Sequence, residues 1–248
     1  MYSPITAVAL RTIRHNDRSS ILTAWSPQLG RISLALPTGN GKESRRCRAL
    51  TMPLGLFEGI IDDRQSREVM RIRDMKAWGI SSGFPDVSSN PVRSTVAMFI
   101  AEVLGVITRE GNPDPHLWNL IVETTYLLAN GNSVALANAP IAFLSRLAYV
   151  AGIAPDHGDW KPNLGLDLVD GVFRFSRPMH NYWIDSREAK IITTLSSAFT
   201  GYSHISLLHL NRNIRNKILN GYLAYFSLHH YPLDRLKSLD ILKVVFDG

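Results

Sequence analysis

Five short runs of strand-like sequence fall within the first 79 residues, and no helical period separates most of them. The first, about Thr6 to Ile13, puts Val8 and Leu10 on one face and Arg11 on the other. The second, about Ser20 to Ser26, alternates Ile21, Thr23 and Trp25 against Leu22 and Ala24; Pro27-Gln28-Leu29-Gly30 then turns the chain. In the third, Ile32, Leu34 and Leu36 alternate with Arg31, Ser33 and Ala35. The fourth covers about Leu56 to Asp62, and in the fifth Met70 and Ile72 face in while Arg71 and Arg73 face out. Five such strands in so little chain suggest a small barrel, and an oligonucleotide-binding (OB) barrel is the leading architecture of that size and strand count.

Between the third and fourth strands lies Thr38-Gly39-Asn40-Gly41-Lys42-Glu43-Ser44-Arg45-Arg46-Cys47-Arg48, with four cations against the single acid Glu43. Its two glycines widen the backbone's choices, so it reads as a flexible cationic loop. Such a loop either grips phosphates or is an ordinary solvated charge run. The charge distribution favours the first. Net charge is +6; residues 1–80 hold 13 Lys and Arg against 7 Asp and Glu, and residues 81–248 hold 14 of each. The surplus sits wholly in the N-terminal third and points to an acidic polymer as partner. Nucleic acid ranks before a membrane surface, because no basic amphipathic helix accompanies the charge. On charge alone, Arg14, Arg18 and Arg48 belong to the DNA-facing set.

The turn-rich stretch 81–89 reads as the boundary between the barrel (1–79) and a mostly α-helical domain (80–248), an α+β chain overall. Asn90 with Pro91 opens a helix whose apolar stripe runs from Val92 to Ile107. Asp114-Pro115 opens a second, which Asn130-Gly131-Asn132 closes, and Asn138 with Pro140 caps a third. From about 155 to 184 the pattern is irregular and free of cysteine, with a small hairpin at 167–175. Ser186 with Glu188 begins another helix, and the last long one runs from about Asn211 to His230.

With 45% hydrophobic and 19% charged residues the chain is globular. No segment reads as long and apolar enough to span a bilayer, and no secretory signal is evident, so the cytoplasm is the default compartment. The lone Cys47 excludes an internal disulfide and a cysteine-based zinc cage. Residues 39–43 fail as a phosphate loop: Leu36 stands where the first glycine belongs, and Glu43 where Ser or Thr must follow the lysine. His157 with Asp159, His180, His204, His209 and the pair His229-His230 lack metal-ligand spacing. Asp62-Asp63 and Asp167/Asp170 fall in turns, where Asp is favoured for backbone reasons. Nothing nominates a catalytic centre, a metal or a cofactor. Trp25, Trp78 and Phe57 suit either base stacking or core packing. Arg212, Arg215 and Lys217 cluster at the start of the last long helix, with Arg212 and Arg215 on one face. They form either a solvated face or a dock for an acidic peptide beside an apolar groove.

Taken in order, several stretches resemble the RecO family of bacterial recombination mediators. These are Ala9-Leu10-Arg11-Thr12, Asp17-Arg18-Ser19-Ser20-Ile21-Leu22-Thr23, Leu29-Gly30-Arg31-Ile32-Ser33, the basic Lys42-Glu43-Ser44-Arg45, Asn112-Pro113-Asp114-Pro115 and the closing Leu236-Lys237-Ser238-Leu239. The resemblance implies an OB barrel fused to a helical domain, without a catalytic centre. It implies binding of single- and double-stranded DNA, strand annealing, and a nucleoid-associated life in the cytoplasm. The implied partners are RecR, the acidic C-terminal tail of single-stranded DNA-binding protein (SSB), RecA and, in some settings, RecF. By position, Arg31, Lys42, Arg45 and Arg46 match the family's basic face. Many members carry a four-cysteine zinc module in the helical half; its absence from 155–184 implies no zinc here, with packing holding the hairpin.

Two other readings remain open on the sequence. In one, the barrel binds an acidic protein and the chain is an interaction adaptor. In the other, weakest for want of ligand spacing, His180 and nearby aspartates serve a metal-dependent nuclease.

Overall fold

The computed structural model describes residues 2–17, 19–62, 69–79, 87, 90–156, 161–196, 202 and 204–247. Arg18, Asp63, His157, Asp159 and, apart from Val87, the stretch 81–89 lie outside the described residues. The chain divides into two compact units, Met1–Ala129 and Asn130–Gly248.

In the first unit, β1 (Tyr2–Arg14), β2 (Ser19–Ser26), β3 (Gly30–Pro37), β4 (Leu56–Asp62) and β5 (Met70–Ala77) close in the order β1-β2-β3-β5-β4. Only β3 and β5 run parallel among these pairs; the others are antiparallel. This is the expected OB-type barrel. Ile5, Ala7 and Ala9 of β1, Leu22 and Ala24 of β2 and Leu34 of β3 fill its interior. The helix α1 (Lys42–Leu50) links β3 to β4, and α2 (Pro91–Ile107) and α3 (Pro115–Asn130) follow the barrel.

Two of the helix starts read from the sequence are capped as expected. Asn90 accepts the backbone N–H of Arg93 at 3.1 Å with Pro91 in the first turn, and Asp114 accepts those of His116 and Leu117 at 2.8 and 3.2 Å. Trp25 is buried but is not a barrel-core residue. With Leu22 and Ala24 turned inward, the period of two sends Trp25 outward, where it stacks on Trp118 of α3 at 6.3 Å. Trp78 meets the same Trp118 edge-on at 5.0 Å. These rings lock α3 onto the strands and are spent on packing.

The second unit contains α4 (Ser133–Val150), a small sheet of β6 (Gly165–Asp167), β7 (Val172–Arg174) and β8 (Trp183–Ile184), then α5 (Ser186–Ser196), α6 (Arg212–Leu228) and α7 (Ser238–Asp247). Two expectations are corrected in α4. It starts at Ser133, because Asn132 accepts the Ala135 N–H at 2.8 Å; Asn138 and Pro140 lie inside the helix. Buried Asn138 instead donates its amide to the carbonyls of Ile205 (3.1 Å) and Leu208 (2.7 Å), tying down the approach to α6. The second correction concerns membrane spans: α4 is in fact long and apolar enough to cross a bilayer, but 67% of it is buried inside the structure. It is a core helix packed against α5 and α6.

The hairpin expected at 167–175 is present as β6 and β7, with β8 on the other side of β6. A Cβ on Gly165 would fall 2.1 Å from the Trp183 ring, so only glycine permits that close packing.

Candidate nucleic-acid interface

The basic segment is a helix and not the flexible loop expected from its glycines. Lys, Glu, Arg, Ala and Leu favour helix over most of residues 42–50. Ser44 and Cys47, three apart, turn inward, and Cys47 joins the barrel core with Leu50 packed against it. Burial pushes the Cys47 thiol up from its ordinary value, Glu43 adding to the shift and Arg46 opposing it. Seating α1 through Cys47 leaves Lys42, Arg45, Arg46 and Arg48 exposed. Lys42, Arg45 and Arg46 share a face at three- and four-residue spacing. Arg48 bends back and donates to the Gly39 carbonyl at 2.6 Å, so part of its hydrogen-bonding capacity closes the lead-in to the helix.

Arg14, at the end of β1, is exposed and paired with Asp17 at 2.7 Å. The β1–β2 turn adjoins the approach to α1, since the Thr38 hydroxyl donates to the Asp17 carbonyl at 2.9 Å. Arg14 and the α1 cations are therefore at one end of the barrel. Arg31 is not with them. It stands at the start of β3, roughly 20 Å of extended strand from the end that leads into α1. Its guanidinium donates to the Gly105 carbonyl at 3.3 Å and its backbone N–H to the Arg109 carbonyl at 3.1 Å. A cation there suits the negative end of the α2 dipole. Beside it, Gly30 takes a φ of +71°, and a Cβ would fall 2.6 Å from the Asn112 nitrogen. Gly30 and Arg31 thus join the β2–β3 turn to the α2–α3 connection.

Strand register adds two cations that the sequence reading leaves out. Arg11 pairs with Thr23 and Thr23 with Ser33. One row on, Ile13 pairs with Ile21, Ile21 with Ala35, and Ala35 with Arg71 across the parallel β3–β5 contact. These residues lie on the outward side of β1, β2, β3 and β5, with Arg11 and Arg71 exposed. In OB barrels the face of strands 2 and 3 is the one that takes oligonucleotides. The sequence displays the outward facing of Arg71, but not its neighbour, because a parallel pair between β3 and β5 leaves no local pattern. Arg73, next outward on β5, is placed over the Tyr2 ring at 5.4 Å.

In the second unit, Arg212 and Arg215 line one groove with Pro140, Ile141, Leu219 and Phe246, and α7 adds Lys243. Burial depresses the Arg215 pKa, and its side chain donates to the Leu210 carbonyl. Lys217 is turned to α5, where it pairs with buried Glu188 at 3.2 Å. Among the described residues, no group of three His, Cys, Asp or Glu side chains is placed to hold a metal ion. The small sheet is organised on the Asp167 carboxylate. That group is 3% exposed and lies 3.3 Å from His180 Nε2 and 3.4 Å from Arg174 Nε.

Fold and surface define an α+β protein with an OB barrel that carries a basic helix, joined in sequence to helices and a small three-stranded sheet. The sequence profile described as Recombination protein O C terminal matches residues 88–240. The chain is 28% identical over 248 residues to the DNA repair protein RecO of Bacteroides fragilis, covering 100% of both chains. It is 29% identical over 246 residues to that of Porphyromonas gingivalis (97% of this chain, 98% of the relative). It is 27% identical over 243 residues to that of Azobacteroides pseudotrichonymphae, with the same two coverages. The chain belongs to the RecO family, and its role lies in DNA repair and recombination.

Proposed function

We propose that this protein is a non-enzymatic recombination mediator. It binds single- and double-stranded DNA, anneals complementary strands and, with RecR and in some settings RecF, helps load RecA onto strands coated by SSB. Residues 1–79 are the DNA-binding part, and residues 80–248 meet protein partners. Family membership supports the repair role. The observation that carries the finer reading is the shared exposed face of Lys42, Arg45 and Arg46 on α1, at the barrel end that also bears Arg14. Cations so held neutralise phosphates and release counterions with little regard to sequence. Two strands drawn to one cationic surface repel each other less, which favours pairing.

For partner binding, the groove of Arg212, Arg215 and Lys243 over Pro140, Ile141 and Phe246 combines cations with an apolar floor. That chemistry fits a short acidic peptide ending in hydrophobic residues, such as the SSB tail. The work is carried out in the cytoplasm at the nucleoid. The test is annealing of two complementary labelled strands followed by energy transfer. The protein accelerates pairing at low salt, and Lys42/Arg45/Arg46→Ala removes most of the acceleration. Equal rates with and without protein refute the reading.

A further inference from the structure

The outward side of β1, β2, β3 and β5 is covered at one end and open toward the other. Trp25 on β2 stacks on Trp118 of α3, and Arg31 beside it on β3 reaches the end of α2, so helices cover that row of the sheet. The next two rows are open. The first is Arg11, Thr23 and Ser33; the second is Ile13, Ile21, Ala35 and Arg71. Leu22, Leu34 and Leu36 point into the barrel, so the period of two turns the residues between them outward. Arg11, Ile13 and Arg71 are exposed, and Ile21, Thr23, Ser33 and Ala35 are half-buried. Two arginines thus border a strip of hydroxyl and aliphatic side chains, on strands that lie about 14 Å apart along the sheet.

The charge of this strip is positive and uncompensated. β1, β2 and β3 carry no Asp or Glu. Arg11 and Arg71 make no ion pair among the described residues, Asp17 is held by Arg14 at 2.7 Å, and Glu58 by Lys76 at 2.9 Å. That leaves Glu43, Asp62 and Asp74 against Lys42, Arg45, Arg46 and Arg73, a positive balance before Arg11 and Arg71 are counted. The sequence 63–68 is neutral, with Asp63 and Glu68 against Arg64 and Arg67. The helix α1 packs on β3 and β5, the strands that meet at Ala35 and Arg71. Bases bind OB barrels by stacking on rings, but the rings near this strip are committed elsewhere. Trp25, Trp78 and Trp118 pack on one another, Phe57 lies in the barrel core, and Tyr2, toward the other end of β1, lies under Arg73. What the strip offers is guanidinium and hydroxyl donors, which suit phosphate and sugar oxygens.

We propose that DNA crosses this strip on its phosphates, with Arg11 and Arg71 gripping the backbone and the bases turned away from the protein. This rests on the reading that the chain binds DNA, and adds which face of the barrel does so and which part of the DNA it holds. A strand held in this way keeps its pairing edges free, so a complementary strand forms base pairs without first displacing protein from the bases. The same grip serves single and double strands.

The test uses the full chain and two labelled oligonucleotides of equal length, one of thymines and one with abasic sites in their place. Their affinities should agree within about threefold, because counterion release follows the phosphates alone. Stacking would instead cost the abasic strand about five- to 150-fold for each base lost. Permanganate, which attacks exposed thymines, should oxidise the bound thymine strand as fast as the free one. Arg11→Ala and Arg71→Ala should each take about 0.7 off the slope of log K against log salt, and Arg11→Lys and Arg71→Lys should keep it. Circular dichroism matching the parent excludes misfolding. A larger deficit for the abasic strand, thymines shielded by the protein, or alanine variants with the parent's slope overturns the proposal. In that event, loss of binding in Lys42/Arg45/Arg46→Ala still upholds the DNA-binding reading. A parent that binds neither oligonucleotide overturns both.

Discussion

Asp167→Asn tests whether one buried carboxylate holds the small sheet together. Asp167 Oδ1 accepts from the Val169 and Asp170 N–H groups and faces His180 Nε2; Oδ2 faces Arg174 Nε at 3.4 Å. Asparagine keeps one acceptor oxygen. Set at the Oδ1 position, that oxygen preserves the turn but turns an NH2 toward the Arg174 donor, replacing attraction by donor against donor. Hydrogen bonds to charged groups contribute about 1.5–3 kcal/mol each. Arg174 is 47% exposed and keeps its pairing with Asp170, so its share falls at the lower end. Loss of charge toward His180 brings the expected total to about 2–3 kcal/mol, localised in β6–β8. Hydrogen exchange read peptide by peptide is the assay. Protection at 165–174 should drop about 30- to 150-fold, that energy at 1.36 kcal/mol per tenfold, with the barrel unchanged. A change within twofold refutes the role given to Asp167.

Two further outcomes follow from buried groups. Burial pushes the Tyr222 hydroxyl up to about 12, against the opposing pull of Ser145 and Ser196. The folded state therefore holds its proton more tightly than the unfolded chain, so the associated stability is complete below about pH 10 and lost as pH rises from there to about 12. At about two pH units this amounts to ~3 kcal/mol, and urea unfolding across that window should show a shallower loss for Tyr222→Phe. Arg31→Ala should cost about 1–2 kcal/mol in the same unfolding assay, through its bonds at the end of α2, and leave oligonucleotide affinity within a factor of two.

The parts legible in the sequence are those set by local rules. Period-two alternation finds the strands of the barrel, and Asn90-Pro91, Asp114-Pro115 and Asn211 mark helix starts by capping chemistry. Glycine and charge at 39–48 disguised α1, whose helical signal is the pair Ser44 and Cys47 turned toward the core. Pro140 suggested a helix start; Asn132, eight residues earlier, supplies the cap, and packing tolerates the missing backbone donor. The face that joins Arg71 to Ala35 depends on a parallel pairing over 36 residues of sequence, and the ring of partners around Asp167 depends on tertiary approach. The helix α7, which brings Lys243 and Phe246 to the groove of Arg215, has no place in the sequence reading, because the short run Ile241-Leu242-Lys243-Val244-Val245-Phe246 suits a strand as well as a helix.

The central claim is that the cations of α1 grip DNA through its phosphates. Fluorescence anisotropy of a labelled single-stranded oligonucleotide across a salt series measures this directly. If Lys42, Arg45, Arg46 and Arg48 each meet a phosphate, log K falls against log salt with a slope of about −3 from these four residues. Lys42/Arg45/Arg46→Ala should lose about 2 of that slope along with most of the affinity. A parent slope near zero, or a variant that binds with the parent's slope and affinity, contradicts the account.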